Sequence, residues 1–158
     1  GASKTSLYLP SLLAILLGGG SVLALVTQGV LQLDPWYKPQ YMIPLAGMIF
    51  ANAMTSVSLA AERLFAELQQ GASYENARRT AFRTAMIPMV NSLFAVGLVS
   101  LPGMMTGQIL AGVSPFIAAR YQIMVMCMLF ASAGFAAACF LWLLEKLGAQ
   151  DAVTGPRP

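Results

Sequence analysis

The stretch YQIMVMCMLFASAGFAAACFLWLL, residues 121–144 between Arg120 and Glu145, decides what kind of protein this is. It holds 24 consecutive residues without a charge, and about 20 apolar residues suffice for a helix to cross a bilayer. Its polar members, Gln122 and Ser132, come singly, whereas a helix lying on a water-soluble core shows a polar face at every turn. Three further charge-free intervals flank it: 29 residues between Lys4 and Asp34, 23 between Lys38 and Glu62, and 36 between Arg83 and Arg120. Over all 158 residues, 58% are hydrophobic and 9% charged, where a soluble domain carries about 25% charge. The chain is therefore an all-α polytopic membrane protein with about four transmembrane helices.

The same composition excludes several chemistries. There is no His, which removes His-based triads, His-ligated zinc and imidazole proton relays. The net charge of +3 is small and scattered, unlike the basic face of a nucleic-acid binder. Cys127 and Cys139 lie twelve residues apart in one apolar run, a helical separation of about 18 Å that no disulfide bridges. No paired carboxylates stand in a span and no activated nucleophile is evident, so the chain is not read as an enzyme. No metal site is assigned.

The punctuation places spans at about 7–33, 41–61, 85–101 and 116–144, a helix pair at 62–84, and a flexible tail at 148–158. Gly18-Gly19-Gly20 in the first span allow close backbone approach. Pro44 falls in the first turn of the second, which continues to Gly71, a natural residue for a helix end. Ser73 then caps a new helix, with Glu75 in its first turn and Arg79 one turn on as an ion-pair partner. The interval after Arg83 is broken by Pro88, Pro102, Gly103, Gly107, Gly112 and Pro115. It reads as one crossing followed by a broken Pro-Gly segment, or as two minimal crossings. One crossing puts Lys4, Arg63, Arg78, Arg79, Arg83, Lys146 and Arg157 on one side against Lys38 and Arg120. The positive-inside bias favours that arrangement and makes the 62–84 loop cytoplasmic, in a multi-pass protein of the inner (plasma) membrane.

Seven of the fifteen charged residues fall between Glu62 and Arg83, so this excursion is the one surface shaped for a soluble partner. An acidic helix, then Gly71-Ala72-Ser73, then a short helix ending at Ile87-Pro88 resembles the coupling loop of ABC-transporter permeases, which docks on an ATPase. Gly71, Ala72, Ser73, Glu75, Arg78, Arg79 and Arg83 are the coupling candidates. The alternative is a solvated basic loop obeying the positive-inside bias. Longer strings extend the likeness: IPLAGMI at 43–49, NAM at 52–54, VGLVSLPGMMTG at 96–107 and YQIMV at 121–125. They resemble the FetB-type permeases, a bacterial iron-export family related to plant aluminium-tolerance permeases.

That resemblance implies a membrane-spanning permease subunit, moving a metal ion such as iron, and N-terminal helices preceding this stretch. It implies an ABC ATPase subunit as partner and a permease homodimer in the lipid bilayer. The chain itself has no phosphate-binding loop, since Ser3-Lys4-Thr5 lacks the glycine that precedes the lysine. It holds no cofactor, and ATP and Mg belong to the partner subunit. A non-transporting membrane anchor or assembly factor, recruiting a cytoplasmic partner through the same loop, is the alternative.

With no charge in the spans, polar residues are the pathway candidates: Met48, Asn52, Thr55 and Ser56 on the second span, Asn91 and Ser92 on the third. The competing reading is simple interhelical hydrogen bonding. Pro102, Gly103, Met104, Met105 and Gly107 are gate candidates, because a Pro-Gly break at membrane depth is tolerated where it faces protein or a wet cavity. The competing reading there is tight packing through the Gly103/Gly107 pair. Ten methionines raise a soft-metal site, yet only Met124, Cys127 and Met128 share a face of the last span, and packing is the favoured reading.

Overall fold

The computed structural model describes the backbone of residues 2–35, 37–98 and 102–147 and the side chains of 7–35, 37–96 and 102–147. Five α-helices follow one another: α1 (Ala2–Ala24), α2 (Pro39–Gln69), α3 (Tyr74–Leu98), α4 (Gly103–Leu110) and α5 (Pro115–Lys146). Among the described residues there is no strand. Three segments are long and apolar enough to cross a membrane: Leu7–Val30, Pro39–Gln69 and Pro115–Lys146. The span expected at 85–101 falls on α3 as far as Leu98, and its last residues lie outside those described, as does the 148–158 tail.

The first span is shorter than the expected 7–33. Beyond Ala24 it widens into a π-helical turn, Leu25–Val30, closed by Leu31 N–H donating to Val26 O at 2.9 Å. Gln32 then takes a left-handed φ of 46° and ends it. Inside the span, Thr27 turns its hydroxyl back to Leu23 O at 2.9 Å, so this buried polar group is satisfied within its own helix.

α2 starts on Pro39 and runs unbroken past Pro44, which lies beyond its first turn. It ends in a Schellman motif. Ala72 N–H donates to Glu67 O, Gly71 N–H donates to Leu68 O, and Gly71 sits at φ 84°. α3 follows at once, with Ala77 N–H on Ser73 O. It does not stop at Ile87-Pro88, as the expected short helix would. The helix passes Pro88 and continues to Leu98. Proline is tolerated within membrane helices where neighbours take up the freed backbone group, so the excursion at 62–84 is simply the projecting ends of α2 and α3. α4 ends as α2 does, with Val113 N–H on Gln108 O and Gly112 at φ 87°.

Small residues set the packing. Alanines 14, 53, 60, 77, 81, 136 and 137 are fully buried around Phe140, Leu64 and Leu144, as expected where helices in lipid associate by close contact. A Cβ on Gly18 would stand 2.6 Å from Ala136 N, and one on Gly19 2.9 Å from the Phe50 ring, so α1 meets α5 and α2 through these glycines. Both ends of the bundle are identifiable. Tyr74 donates to Leu141 O at 3.0 Å and Arg78 pairs with Glu145 at 2.7 Å, which brings the end of α5 beside the α2–α3 turn. Leu7 packs at this same end. Leu31, Tyr41, Val113 and Ile117 gather at the other. Between Arg83 and Arg120 the chain therefore traverses the bundle once. The eight residues of α4, about 12 Å of helix, stay at the far end, too short to span.

Candidate functional site

Two neighbouring cavities, both open to the surface, lie in the half of the bundle away from the α2–α3 turn. The inner one, about 250 Å³, sits where α2, α3, α4 and α5 converge. Met48, Asn52 and Ser92, expected on a pathway, line it together with Pro102 and Met104, expected at a gate. The outer one, about 360 Å³, is walled by residues including Gln40, Tyr41, Gln108 and Tyr121. Met104, 40% exposed, belongs to both walls. Among the described residues no Asp, Glu, Lys or Arg lines either cavity.

The helices position these groups through one polar clamp. Asn52 of α2 donates its side-chain amide to Leu129 O at 2.6 Å and to Ser132 Oγ at 3.2 Å on α5. Ser132 in turn donates to Leu129 O at 3.0 Å. Its amide nitrogen is thus committed to α5, while the residue stands in the cavity wall. Ser92 commits its hydroxyl proton to Pro88 O at 2.9 Å. Gln122 stands on the inner wall, only 8% exposed, with no hydrogen-bond partner among the described residues. Gln108 likewise has a buried, unpartnered Oε1 in the outer wall.

The remaining candidates lie elsewhere. Thr55 is exposed and donates to Ala51 O in its own helix. Ser56 is buried without lining either cavity, and Asn91 is exposed on another face of α3. Gly103, Met105 and Gly107 lie on α4, none of them lining either cavity. Met124, Cys127 and Met128 border a third, apolar cavity against α1, and Met124 also lines the outer one. Sequence reasoning missed Gln122, Gln108, Met89 and Met126. The first was visible as a polar residue alone in a charge-free run, but only the fold shows that it is buried on the cavity wall.

At the opposite end, the coupling candidates divide by surroundings. Gly71 and Ser73 are exposed at the turn, and Ala72 is half-buried against the core. Glu75 and Arg79 form an exposed pair at 2.6 Å. Arg78 is held by Glu145. Arg83 stands beside Phe82 and Trp142 in a groove of about 320 Å³. Burial first, then the Glu145 carboxylate, push the Tyr74 phenol above its ordinary pKa, with Arg78 pulling the other way.

Residues 2–147 match the profile of UPF0014, described as an uncharacterised protein family. The chain belongs to the UPF0014 family. An Escherichia coli relative, the "Probable iron export permease protein FetB", is 41% identical over 85% of this chain and 57% of its own length. A UPF0014 membrane protein of Synechocystis is 46% identical over 61% of this chain and 43% of its own. The Arabidopsis "Protein ALUMINUM SENSITIVE 3" is 36% identical over 61% and 41%. This UPF0014 chain thus spans about half the length of the curated relatives it matches. No solved structure matches it.

Proposed function

We propose that this chain forms the membrane-spanning part of an ABC-type permease that exports a metal ion. The energy comes from ATP and Mg handled by a separate ATPase subunit seated on the α2–α3 turn, in an assembly with two permease copies in the inner membrane. Iron is the cargo suggested by the name of the E. coli relative. The observation that carries the reading is α3 itself. It runs without a break from the turn at Ser73 to the cavity wall at Met89 and Ser92, so movement of the turn reaches the cavity through one rigid element. The turn is the surface for the ATPase. Gly71, Ser73, Glu75 and Arg79 are exposed there, Ala72 anchors it to the core, and Arg78 and Arg83 line the groove behind it. Pro102, Gly103, Met104, Met105 and Gly107 form the gate segment, with Met104 as its moving wall.

Two measurements test this in the full-length protein with its ATPase. The exchange Glu75→Arg with Arg79→Glu keeps the ion pair within α3 but inverts the charges shown to a partner. It is expected to weaken ATPase association at least about tenfold, a change of about 1.4 kcal/mol. Unchanged association and ATP turnover would remove the coupling assignment. Met104→Trp enlarges the side chain common to both cavity walls, and ATP-dependent iron efflux from vesicles should fall while ATPase association persists. Undiminished efflux would place the pathway elsewhere.

A further inference from the structure

We infer that the inner cavity is a binding site for a soft monovalent cation of the Cu(I) or Ag(I) class, built from methionine thioethers. Each of the four helices that meet there contributes one methionine: Met48 from α2, Met89 from α3, Met104 from α4 and Met126 from α5. Methionine is a common gap-filler because its unbranched chain adapts to irregular space. Met89 and Met126 pack in one apolar cluster with Val96 and Leu129, and together with Met48 and the 40% exposed Met104 they border an open cavity of about 250 Å³. The second observation is Gln122, more than nine-tenths buried on the same wall, whose amide has no hydrogen-bond partner among the described residues. An amide held away from water without a hydrogen bond is costly, and a cation that takes a lone pair from its carbonyl oxygen offsets part of that cost.

The donor set chooses the ligand. Thioethers are soft, polarisable and neutral, and they suit Cu(I), whereas hard ions need carboxylate or water oxygens. No carboxylate among the described residues lines the cavity, so the guest held most tightly there is the one that thioether sulfur prefers, a soft cation of low charge. The carbonyl oxygen of Gln122 supplies a further dipole. The Met124, Cys127 and Met128 group borders a different cavity and serves as an internal control.

The inference concerns binding alone and stands apart from the transporter reading, since it needs neither the ATPase nor movement of solute. The full-length protein in lipid nanodiscs is titrated with Ag(I), which is redox-inert, and X-ray absorption of the Cu(I)-loaded protein reads sulfur neighbours. A quadruple variant, Met48→Leu with Met89→Leu, Met104→Leu and Met126→Leu, changes volume little and removes only sulfur. Its Ag(I) affinity is expected to fall by at least about a hundredfold, with the sulfur shell lost, while Cys127→Ala with Cys139→Ala leaves both unchanged. Gln122→Leu should weaken binding about tenfold. Should the quadruple variant fail to fold, Met104→Leu alone, on the short α4, is expected to cost about tenfold. Undiminished Ag(I) binding in the Met→Leu variants overturns the site. So does binding that disappears with the two cysteines, or that is competed by Al(III).

Discussion

Gly18 and Gly20 lie two residues apart, yet substituting them should have opposite outcomes. A methyl group on Gly18 meets the backbone of Ala136 at 2.6 Å, whereas nothing lies within 4 Å of one on Gly20. Gly18→Ala must push α1 off α5 and is expected to destabilise the bundle by about 1–3 kcal/mol, while Gly20→Ala stays within about 0.5 kcal/mol. Thermal unfolding of both variants in one detergent reads the difference. The triplet was legible as a packing device, but which glycine makes the contact was not, because that depends on the rotation of α1 against its neighbours. Tyr74 offers a second residue-scale test. Its folded pKa is raised, so the folded state keeps the phenolic proton after the unfolded chain has lost it. Its contribution is whole below the ordinary tyrosine pKa of about 10 and fades as pH climbs through the raised folded value. Tyr74→Phe removes the 3.0 Å bond to Leu141 O and should cost about 1 kcal/mol at neutral pH. It should also flatten the loss of stability above about pH 10.

At the scale of elements, the α2–α3 turn and α3 carry the weight. Gly71 at φ 84° closes the Schellman motif, and Gly71→Ala is expected to cost about 1–2 kcal/mol from the left-handed backbone alone. Limited proteolysis within 70–74 should accelerate accordingly. Breaking the Arg78–Glu145 pair by Glu145→Gln should cost less than about 1 kcal/mol, since both side chains are more than 40% exposed. The Gly-Ala-Ser signal located this turn directly, because a helix end needs few residues to specify it. Ile87-Pro88 misled for a related reason. Proline disfavours a helix locally, but the packing of α3 along α2 and α5 outweighs that preference, and Met86 and Met89 on either side of it are buried. The converging methionines and Gln122 were illegible because they come from four helices, and sequence spacing says nothing of how separate helices are rotated about one another.

For the whole molecule, the alternation of four long helical runs fixes which loops share a side. Single cysteines at Ser73 and at Glu145, in a background with Cys127→Ala and Cys139→Ala, are expected to react with an impermeant maleimide from the same face of sealed vesicles. Cysteines at Asp34 and Gly112 should react only from the other. Labelling of Ser73→Cys and Gly112→Cys from one face would contradict the single traverse between Arg83 and Arg120. Four charge-free intervals gave the membrane class, since a bilayer imposes its thickness on composition, but the interval after Arg83 read as one crossing or as two short ones until the fold placed α3 and α4. The two cavities and their shared wall emerge only from the assembled bundle.

The unbroken course of α3 also sets a mechanical scale. From Tyr74 to Met89 is about 22 Å of helix, so a tilt of about 5° pivoting at the turn displaces Met89 by about 2 Å. That is more than half the diameter of a water molecule, delivered to one wall while the Asn52 clamp holds the opposite pair of helices together. A lever of this length converts a small rotation at the surface into the opening or sealing of a passage one ion wide.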